Sequence, residues 1–146
     1  MIIKQEDFIC KLIREELNKF SYNKEDVAGD KIIPNKHIYH VSNPKYRKEI
    51  LKNGLIPKVG DSYSGHAGYD NIIIPAIFAT NSENENYWFD STYDDDVWEI
   101  DTSKIDNEWF VDKHYGGDKD YPHIVTFKSI SVNAIKLIYQ GTGEGE

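Results

Sequence analysis

The sequence predicts an α+β domain with a largely antiparallel, split or mixed sheet. Its hydrophobic patterns follow the order helix, strand, helix and then mostly strands, which is typical of α+β folds. With 146 residues, of which 39% are hydrophobic, the chain is the size of one domain with one core, and it contains no internal repeat. We therefore expect a single domain over residues 1–146. It divides into an N-terminal helix and loop (1–36), a core (37–140) and a flexible tail (141–146).

The N-terminal segment has the pattern of an amphipathic helix followed by a loop. Between Gln5 and Phe20 the apolar residues recur at helical spacing along one stripe, and acidic residues crowd the first turn. Residues 21–36 are polar and contain a glycine and a proline, so we expect a loop that leads into the first strand. Cys10 is the only cysteine and lies among apolar residues, which predicts a buried thiol and excludes an intrachain disulfide.

The clearest local pattern is HIYHVSNPKYRKEILKNGLIP, residues 37–57. The β-forming run from His37 to Val41 predicts a short strand. Asn43 followed by Pro44 predicts a capped start for the next helix, and Gly54 is placed to end that helix in the left-handed conformation. The predicted buried face of the helix consists of Tyr46, Ile50 and Leu51.

The middle of the chain predicts a loop, a strand and a short helix. Residues 60–71 are rich in glycine but lack the spacing and the lysine of a phosphate-binding P-loop. The β-branched run 72–80 predicts a strand, in which Pro75 indicates an edge position, a bulge or a break. Ser82 can cap a short helix that carries Tyr87.

The last third of the chain predicts mostly strands. The acidic run Asp94–Asp96, which we expect to be a solvated turn, precedes a strand at Val97–Asp101. Residues 109–111 predict a brief strand and residues 123–127 another. Residues 130–140 begin with a turn and end in the last strand.

The charge of the chain limits its partners. The net charge is −8 and the sequence pI is near 5.1, so the surface repels phosphate backbones and a broad nucleic-acid interface is disfavoured. One local basic pocket for a small phosphorylated ligand is compatible with this charge, and so is a basic protein partner. A protein target is therefore favoured over a nucleic acid. The N-terminal residues contain no long apolar run, so we expect no signal peptide, no membrane span and a cytoplasmic location.

Five histidines raise the question of a metal site or a catalytic triad. His37 and His40 are three apart on a strand and should point to opposite faces, with His40 the better candidate to face a ligand. The other three histidines are scattered, and no cysteine or HExxH pattern accompanies them. We expect no metal site. The chain also lacks the G-x-S-x-G elbow of a serine hydrolase.

Several segments become informative when their order is considered. The strand end I-Y-H-V-S precedes a helix ending in I-L-K-N-G-L-I-P, the strand I-F-A-T, then V-W-E-I-D-T and H-I-V-T-F-K-S-I-S-V-N-A-I-K-L-I. This order resembles small members of the ADP-ribosyltransferase-like fold, a group that includes mono-ADP-ribosyltransferases, DNA-modifying DarT-type toxins and RNA 2′-phosphotransferases. The resemblance covers about residues 37–138. It implies a split, mainly antiparallel sheet with an N-terminal helix and short flanking helices, and NAD bound as a substrate between the two halves of the sheet.

The resemblance also implies roles for individual residues. His40 falls where these families keep an Arg or His that holds the adenosine ribose and the nicotinamide amide, and Ser42 follows it on the same strand. Thr80 falls where a Ser, Thr or Tyr supports the nicotinamide ribose, and Tyr87 would form an aromatic wall against the nicotinamide ring. His123 stands where a glutamate usually stabilises the oxocarbenium-like transition state. The candidate catalytic residues are therefore His40, Thr80 and His123, and the candidate NAD-binding residues are His40, Ser42, Thr80 and Tyr87.

The histidine at position 123 leaves more than one function open. A histidine cannot supply the fixed negative charge of a glutamate, and Glu99, on an earlier strand, is a candidate substitute. The first hypothesis is an NAD-binding mono-ADP-ribosyltransferase that modifies a macromolecule. The second is a non-catalytic acidic interaction or inhibitor protein on the same fold, such as a phage or mobile-element protein that blocks a host factor. A generic nucleotide or small-ligand binder lies between them. A 2′-phosphotransferase would need several basic residues, and the nearby ones are Lys36, Arg47 and Lys58.

Overall fold

The computed structural model of the chain describes residues 24–59, 74–81, 94–113, 117–118 and 121–143. The predicted N-terminal helix with Cys10, the glycine-rich loop at 60–71 and the helix that carries Tyr87 lie outside these residues. Residues 144–146 of the predicted tail lie outside them as well.

The described residues form a mainly antiparallel sheet with few helices. Its strands are β1 (Ala28–Ile32), β2 (His37–Ser42), β3 (Ile77–Thr80), β4 (Asp96–Asp101), β5 (Trp109–Asp112), β6 (Gly117–Asp118), β7 (Tyr121–Thr126) and β8 (Ile135–Tyr139). Their order across the sheet is β1-β5-β7-β3-β2-β4-β8, with β6 beside β7, and all of these pairs are antiparallel. The helical elements of these residues are α1 (Arg47–Asn53) and 3₁₀ turns at Lys24–Asp26, Pro44–Tyr46, Thr102–Lys104 and Val132–Ala134. This combination of a mainly antiparallel sheet with few helices is compatible with the predicted α+β class.

Three local predictions need correction. The expected loop at 21–36 contains β1, which pairs with β5 at the edge of the described sheet and whose middle residues are exposed. The described part of the predicted strand 72–80 becomes a regular strand only at Ile77, after Pro75, which cannot donate to the ladder. Leu51, predicted to be buried, is 53% exposed, because α1 turns Ile50 and not Leu51 toward the core.

Both predicted ends of the helix are confirmed. The Asn43 side chain accepts a hydrogen bond from Lys45 N at 2.9 Å, and Pro44 opens a 3₁₀ turn that continues into α1. Gly54 ends α1, and its N–H donates to Ile50 O at 2.8 Å. Its φ of 77° is positive as predicted, but its ψ of −167° lies outside the left-handed helical conformation. A Cβ at position 54 would also overlap the carbonyl oxygen of Ile130, so a side chain is excluded there for two reasons.

The sheet buries side chains on both faces. On one face, which we call the α1 face, strand residues pack against Ile50 of α1 and against Leu55 and Ile130, which pair through their backbones. The strand residues of this cluster include Ile38, Ile77, Ala79, Trp98, Ile100 and Ile124. The opposite face buries two smaller clusters, one with Phe78 and Val125 and one with Tyr39 and Val97.

The pairing of strands is shortest between β2 and β3. These strands pair at Tyr39 and Thr80, whereas β2 pairs with β4 from His37 to Ser42 and β3 pairs with β7 along its whole length. On the side of α1, the described residues of β2 and β3 form no further backbone pairs beyond Tyr39 and Thr80. We call this place the fork; it divides β2, β4 and β8 from β3, β7, β5 and β1.

The residues after β8 are held against β4 by hydrogen bonds. The Asp96 carboxylate is fully buried and accepts bonds from Arg47 Nε at 2.8 Å, Arg47 Nη2 at 2.7 Å and Gly141 N at 2.8 Å. Gly143 N donates to Asp94 O at 2.9 Å. Gly141 and Gly143, which belong to the predicted flexible tail, thus form backbone hydrogen bonds, and the flexibility of the tail stays a prediction. The acidic run 94–96, expected to be a solvated turn, has its last member in β4 and paired with Arg47.

Candidate functional site

A cavity of about 90 Å³ opens at the fork, on the α1 face of the sheet. Its walls come from β2, from the helix that follows, from the extended segment after Gly54 and from the start of β3. The polar groups that line it include His40, Ser42 and Asn43 on the β2 side and Glu49 and Lys58 on the other. Apolar walls with a few convergent polar groups are the usual lining of a small-ligand site.

His40 bridges the two strands of the fork. Its Nδ1 lies 2.6 Å from the carbonyl oxygen of Phe78 in β3. Because a carbonyl only accepts, Nδ1 carries the proton, and in the neutral ring Nε2 keeps a lone pair. Burial lowers the pKa of His40 below its ordinary value of 6.5, against the smaller opposite effect of the Phe78 bond. The neutral ring therefore presents Nε2 as a hydrogen-bond acceptor, and among the described residues Phe78 O is its only polar partner.

Ser42 closes the cavity wall two residues after His40. Both side chains are on the α1 face, since His40 pairs with Trp98 and Ser42 with Asp96 across β4. The buried Oγ of Ser42 accepts a hydrogen bond from Trp98 Nε1 at 2.9 Å. The hydroxyl proton of Ser42 can therefore still be donated to a ligand.

The mouth of the cavity is charged and aromatic. Lys58 Nζ lies 3.1 Å from Glu49 Oε1 and 4.4 Å from the centroid of the Tyr46 ring. The backbone of Lys58 is fixed by paired hydrogen bonds with Ala76, at 3.1 and 3.2 Å. Lys45 Nζ also approaches the Tyr46 ring, at 5.0 Å. The aromatic ring thus has two ammonium groups close to it, one of which is paired with a carboxylate.

Thr80 and His123 lie on the opposite face from His40. Tyr39 pairs with Thr80 and Thr80 pairs with His123, so these three side chains share one face, whereas His40 follows Tyr39 and points the other way. Glu99 pairs with Tyr39 and belongs to the same opposite face. Thr80 and His123 are buried and neither lines the cavity, and Thr80 Oγ1 has no hydrogen-bond partner among the described residues.

The predicted site residues are therefore divided into two groups. The structure brings His40 and Ser42 together at the cavity, and it brings Thr80 and His123 together on the opposite face. Sequence reasoning missed Tyr46 and Glu49 as cavity residues, although their spacing of three along a helix places them on one side of it. Of the three basic residues noted for phosphate contact, Lys58 reaches the cavity and Arg47 is bound to Asp96. Lys36 does not line the cavity.

The described residues contain no group of three or more His, Cys, Asp or Glu side chains that could hold a metal ion. The same part of the chain contains no helix that is long and apolar enough to cross a membrane. The chain matches no known protein-family model, and no curated protein sequence matches it significantly. The function therefore has to be inferred from the chemistry of the cavity.

Proposed function

We propose that the protein is mono-ADP-ribosyltransferase-like, that it binds NAD at the fork, and that it transfers ADP-ribose to a macromolecular target. The position of His40 is the observation that carries this proposal. Its ring spans the gap between β2 and β3, which is where an ADP-ribosyltransferase-like sheet would be split, and it lines the cavity there. Both polar side chains on the α1 face of β2, His40 and Ser42, line this cavity.

The polar groups of the cavity suit a ribose or a carboxamide. The neutral His40 ring can accept a hydrogen bond at Nε2 from a ribose hydroxyl or from the carboxamide N–H of nicotinamide. Ser42 can donate one bond to an oxygen of the same ligand while it holds Trp98. A cavity of about 90 Å³ is too small for a whole dinucleotide, so one end would enter it and the rest would extend across the mouth at Tyr46 and Lys58.

The transfer step breaks the bond between ribose C1′ and the nicotinamide nitrogen, which keeps the electron pair. A bond then forms from C1′ to a nucleophile of the target, which loses its proton. Positive charge develops on the ribose, so a fixed carboxylate nearby would accelerate the step. Among the described residues the carboxylate that lines the cavity is Glu49, which is paired with Lys58, and Glu99 is on the opposite face. We therefore expect NAD to bind more readily than it reacts.

Proton NMR of the protein mixed with NAD tests this proposal. We expect saturation transfer from the protein to NAD and the appearance of free nicotinamide over hours. His40→Ala should reduce both signals by about tenfold or more, because it removes the acceptor and the strand contact. His37→Ala is the matched control, since His37 lies on the same strand but faces the other way. NAD binding and nicotinamide release that are unchanged in His40→Ala would contradict the proposal.

A second candidate function is a non-catalytic interaction or inhibitor protein on the same fold. The observation that favours it is the absence of an unpaired carboxylate at the cavity among the described residues, with His123 standing where the family keeps its glutamate. Such a protein would present its acidic surface to a basic site, consistent with a net charge of −8. It should form a stable stoichiometric complex in size-exclusion chromatography without consuming NAD. Nicotinamide release by the isolated protein would exclude this function.

A further inference from the structure

The mouth of the cavity carries a local positive charge on an acidic protein. Residues 45–58 contain five basic side chains and one acidic side chain, so this segment has a net charge of +4, whereas the whole chain has −8. The basic side chains are Lys45, Arg47, Lys48, Lys52 and Lys58, and the acidic one is Glu49. Arg47 is neutralised by the buried Asp96. Lys58 lines the cavity, and Lys45 approaches the Tyr46 ring beside it. Lys48 and Lys52 are exposed on α1, so the segment as a whole attracts anions.

Lys58 is the basic side chain that lines the cavity itself. Its backbone is fixed to Ala76 by two hydrogen bonds, and its ammonium lies over Tyr46 at 4.4 Å. Glu49 holds the ammonium at 3.1 Å, and the two side chains are 42% and 45% exposed. An ion pair between half-exposed side chains is weak, so an anion of higher charge can replace the carboxylate. The ammonium is therefore held in position and can exchange its partner.

We propose that Lys58 binds a phosphate group of a nucleotide whose other end occupies the cavity at His40, and that Glu49 competes with this phosphate for Lys58. The inference rests on the proposed function, since it uses the same cavity. The ligand is a small nucleotide and not a nucleic acid, because the cavity is small and the net charge of −8 repels a phosphate backbone. On binding, the Lys58 ammonium leaves Glu49 Oε1 for a phosphate oxygen, and the Glu49 carboxylate turns to solvent.

Two variants separate the roles of Lys58 and Glu49. Lys58→Gln removes the phosphate contact and should weaken ADP binding about tenfold, the size of one charge-assisted bond. Glu49→Gln removes the competing anion and should strengthen ADP binding about threefold. Adenosine lacks phosphate, so its affinity should stay within about twofold of the wild type in both variants. ADP affinity in the wild type should also fall as salt is raised.

The chain contains a matched control for this pair. Lys31 and Glu108 form an ion pair with the same 3.1 Å distance, also between exposed side chains, away from the cavity at the fork. Lys31→Gln and Glu108→Gln change the net charge as the two test variants do, and should leave ADP affinity unchanged. Isothermal titration calorimetry of the full chain with ADP and with adenosine measures all of these affinities, and a thermal melt verifies that each variant is folded.

The outcomes distinguish this inference from the proposed function. ADP binding that depends on Lys58, without nicotinamide release from NAD, would support the phosphate site and contradict the transferase. NAD turnover with an ADP affinity that Lys58→Gln leaves unchanged would support the transferase and overturn the phosphate site. Equal losses of affinity in Lys58→Gln and Lys31→Gln would also overturn it, because they would show a general effect of net charge. Weaker ADP binding in Glu49→Gln would overturn the competition between Glu49 and phosphate.

Discussion

Gly54 is the position where one methyl group should have the largest effect on the fold. In Gly54→Ala the residue must keep a φ of 77° and a ψ of −167°, a region that only glycine adopts readily and that costs another residue at least about 1 kcal/mol. The added Cβ would overlap Ile130 O and lie 2.9 Å from Val132 N, so the two segments must move apart. This movement stretches the bonds Leu55 N to Ile130 O (3.0 Å) and Ile130 N to Leu55 O (2.8 Å), each worth about 1 kcal/mol. The sum is about 3 kcal/mol, or a fall in Tm of about 6–12 °C for a chain of this size.

Urea denaturation of Gly54→Ala and Gly143→Ala measures this cost. Gly143 has a similar φ of 73°, but among the described residues a Cβ there would meet only the Pro44 ring, at ordinary distances of 3.8 and 4.0 Å. Gly143→Ala should therefore lose about 1 kcal/mol, the backbone cost alone. Equal losses of unfolding free energy in the two variants would refute the reasoning, because they would show that the overlap with Ile130 adds nothing.

Three further predictions concern buried polar groups. Since burial lowers the pKa of His40 below 6.5, the neutral ring stabilises the fold fully above that pH, and this contribution is lost as the pH falls toward the lowered value. Urea denaturation at about pH 7.5 and about pH 5.5 should show a smaller loss of stability in His40→Gln than in the wild type; equal losses would contradict this. Thr80→Val removes a buried hydroxyl without a partner among the described residues and should raise the unfolding free energy by about 1 kcal/mol, whereas a clear decrease would show that the hydroxyl is bonded. Trp98→Phe leaves a gap and an unpaired Ser42 Oγ, so it should lower the unfolding free energy by about 2–3 kcal/mol. Urea denaturation should show a smaller loss, roughly 1 kcal/mol, for Ser42→Ala.

The parts of the fold that could be predicted from sequence are those that local chemistry determines. Asn43, Pro44 and Gly54 each fix the backbone within a few residues, so the start and the end of the helix were predictable. β1 was not predictable, because its residues AGDKI lack an apolar alternation and become a strand only through pairing with β5, some 80 residues later. Leu51 was misplaced for a related reason: two neighbouring apolar residues on a short helix do not reveal which of them the sheet will cover.

The orientation of the candidate site residues also depends on contacts between distant segments, in this case on the register of the strands. The sequence indicates that His40 and Thr80 are strand residues, and the cavity at His40 agrees with its expected role as a ligand-facing residue, which stays a prediction. The face to which each side chain points depends on the register between β2 and β3, and a shift of one residue would reverse it. That register is set by contacts between distant segments, so the separation of Thr80 and His123 from His40 could not be read from spacing.

The hydrogen bonds among Arg47, Asp96 and Gly141 have a consequence for folding during translation. The Arg47 side chain in α1 donates to a carboxylate 49 residues later and to a carbonyl oxygen 94 residues later. At 5–20 residues per second, a ribosome needs roughly 5–20 s to synthesise the chain from Arg47 to Gly141. During this time Arg47 can pair with Asp96 once β4 has been made, but the bonds of both residues to Gly141 cannot form until the end of the chain emerges. The wall of the cavity should therefore be among the last parts of the protein to become rigid during translation, well after the β2 strand that carries His40 has emerged.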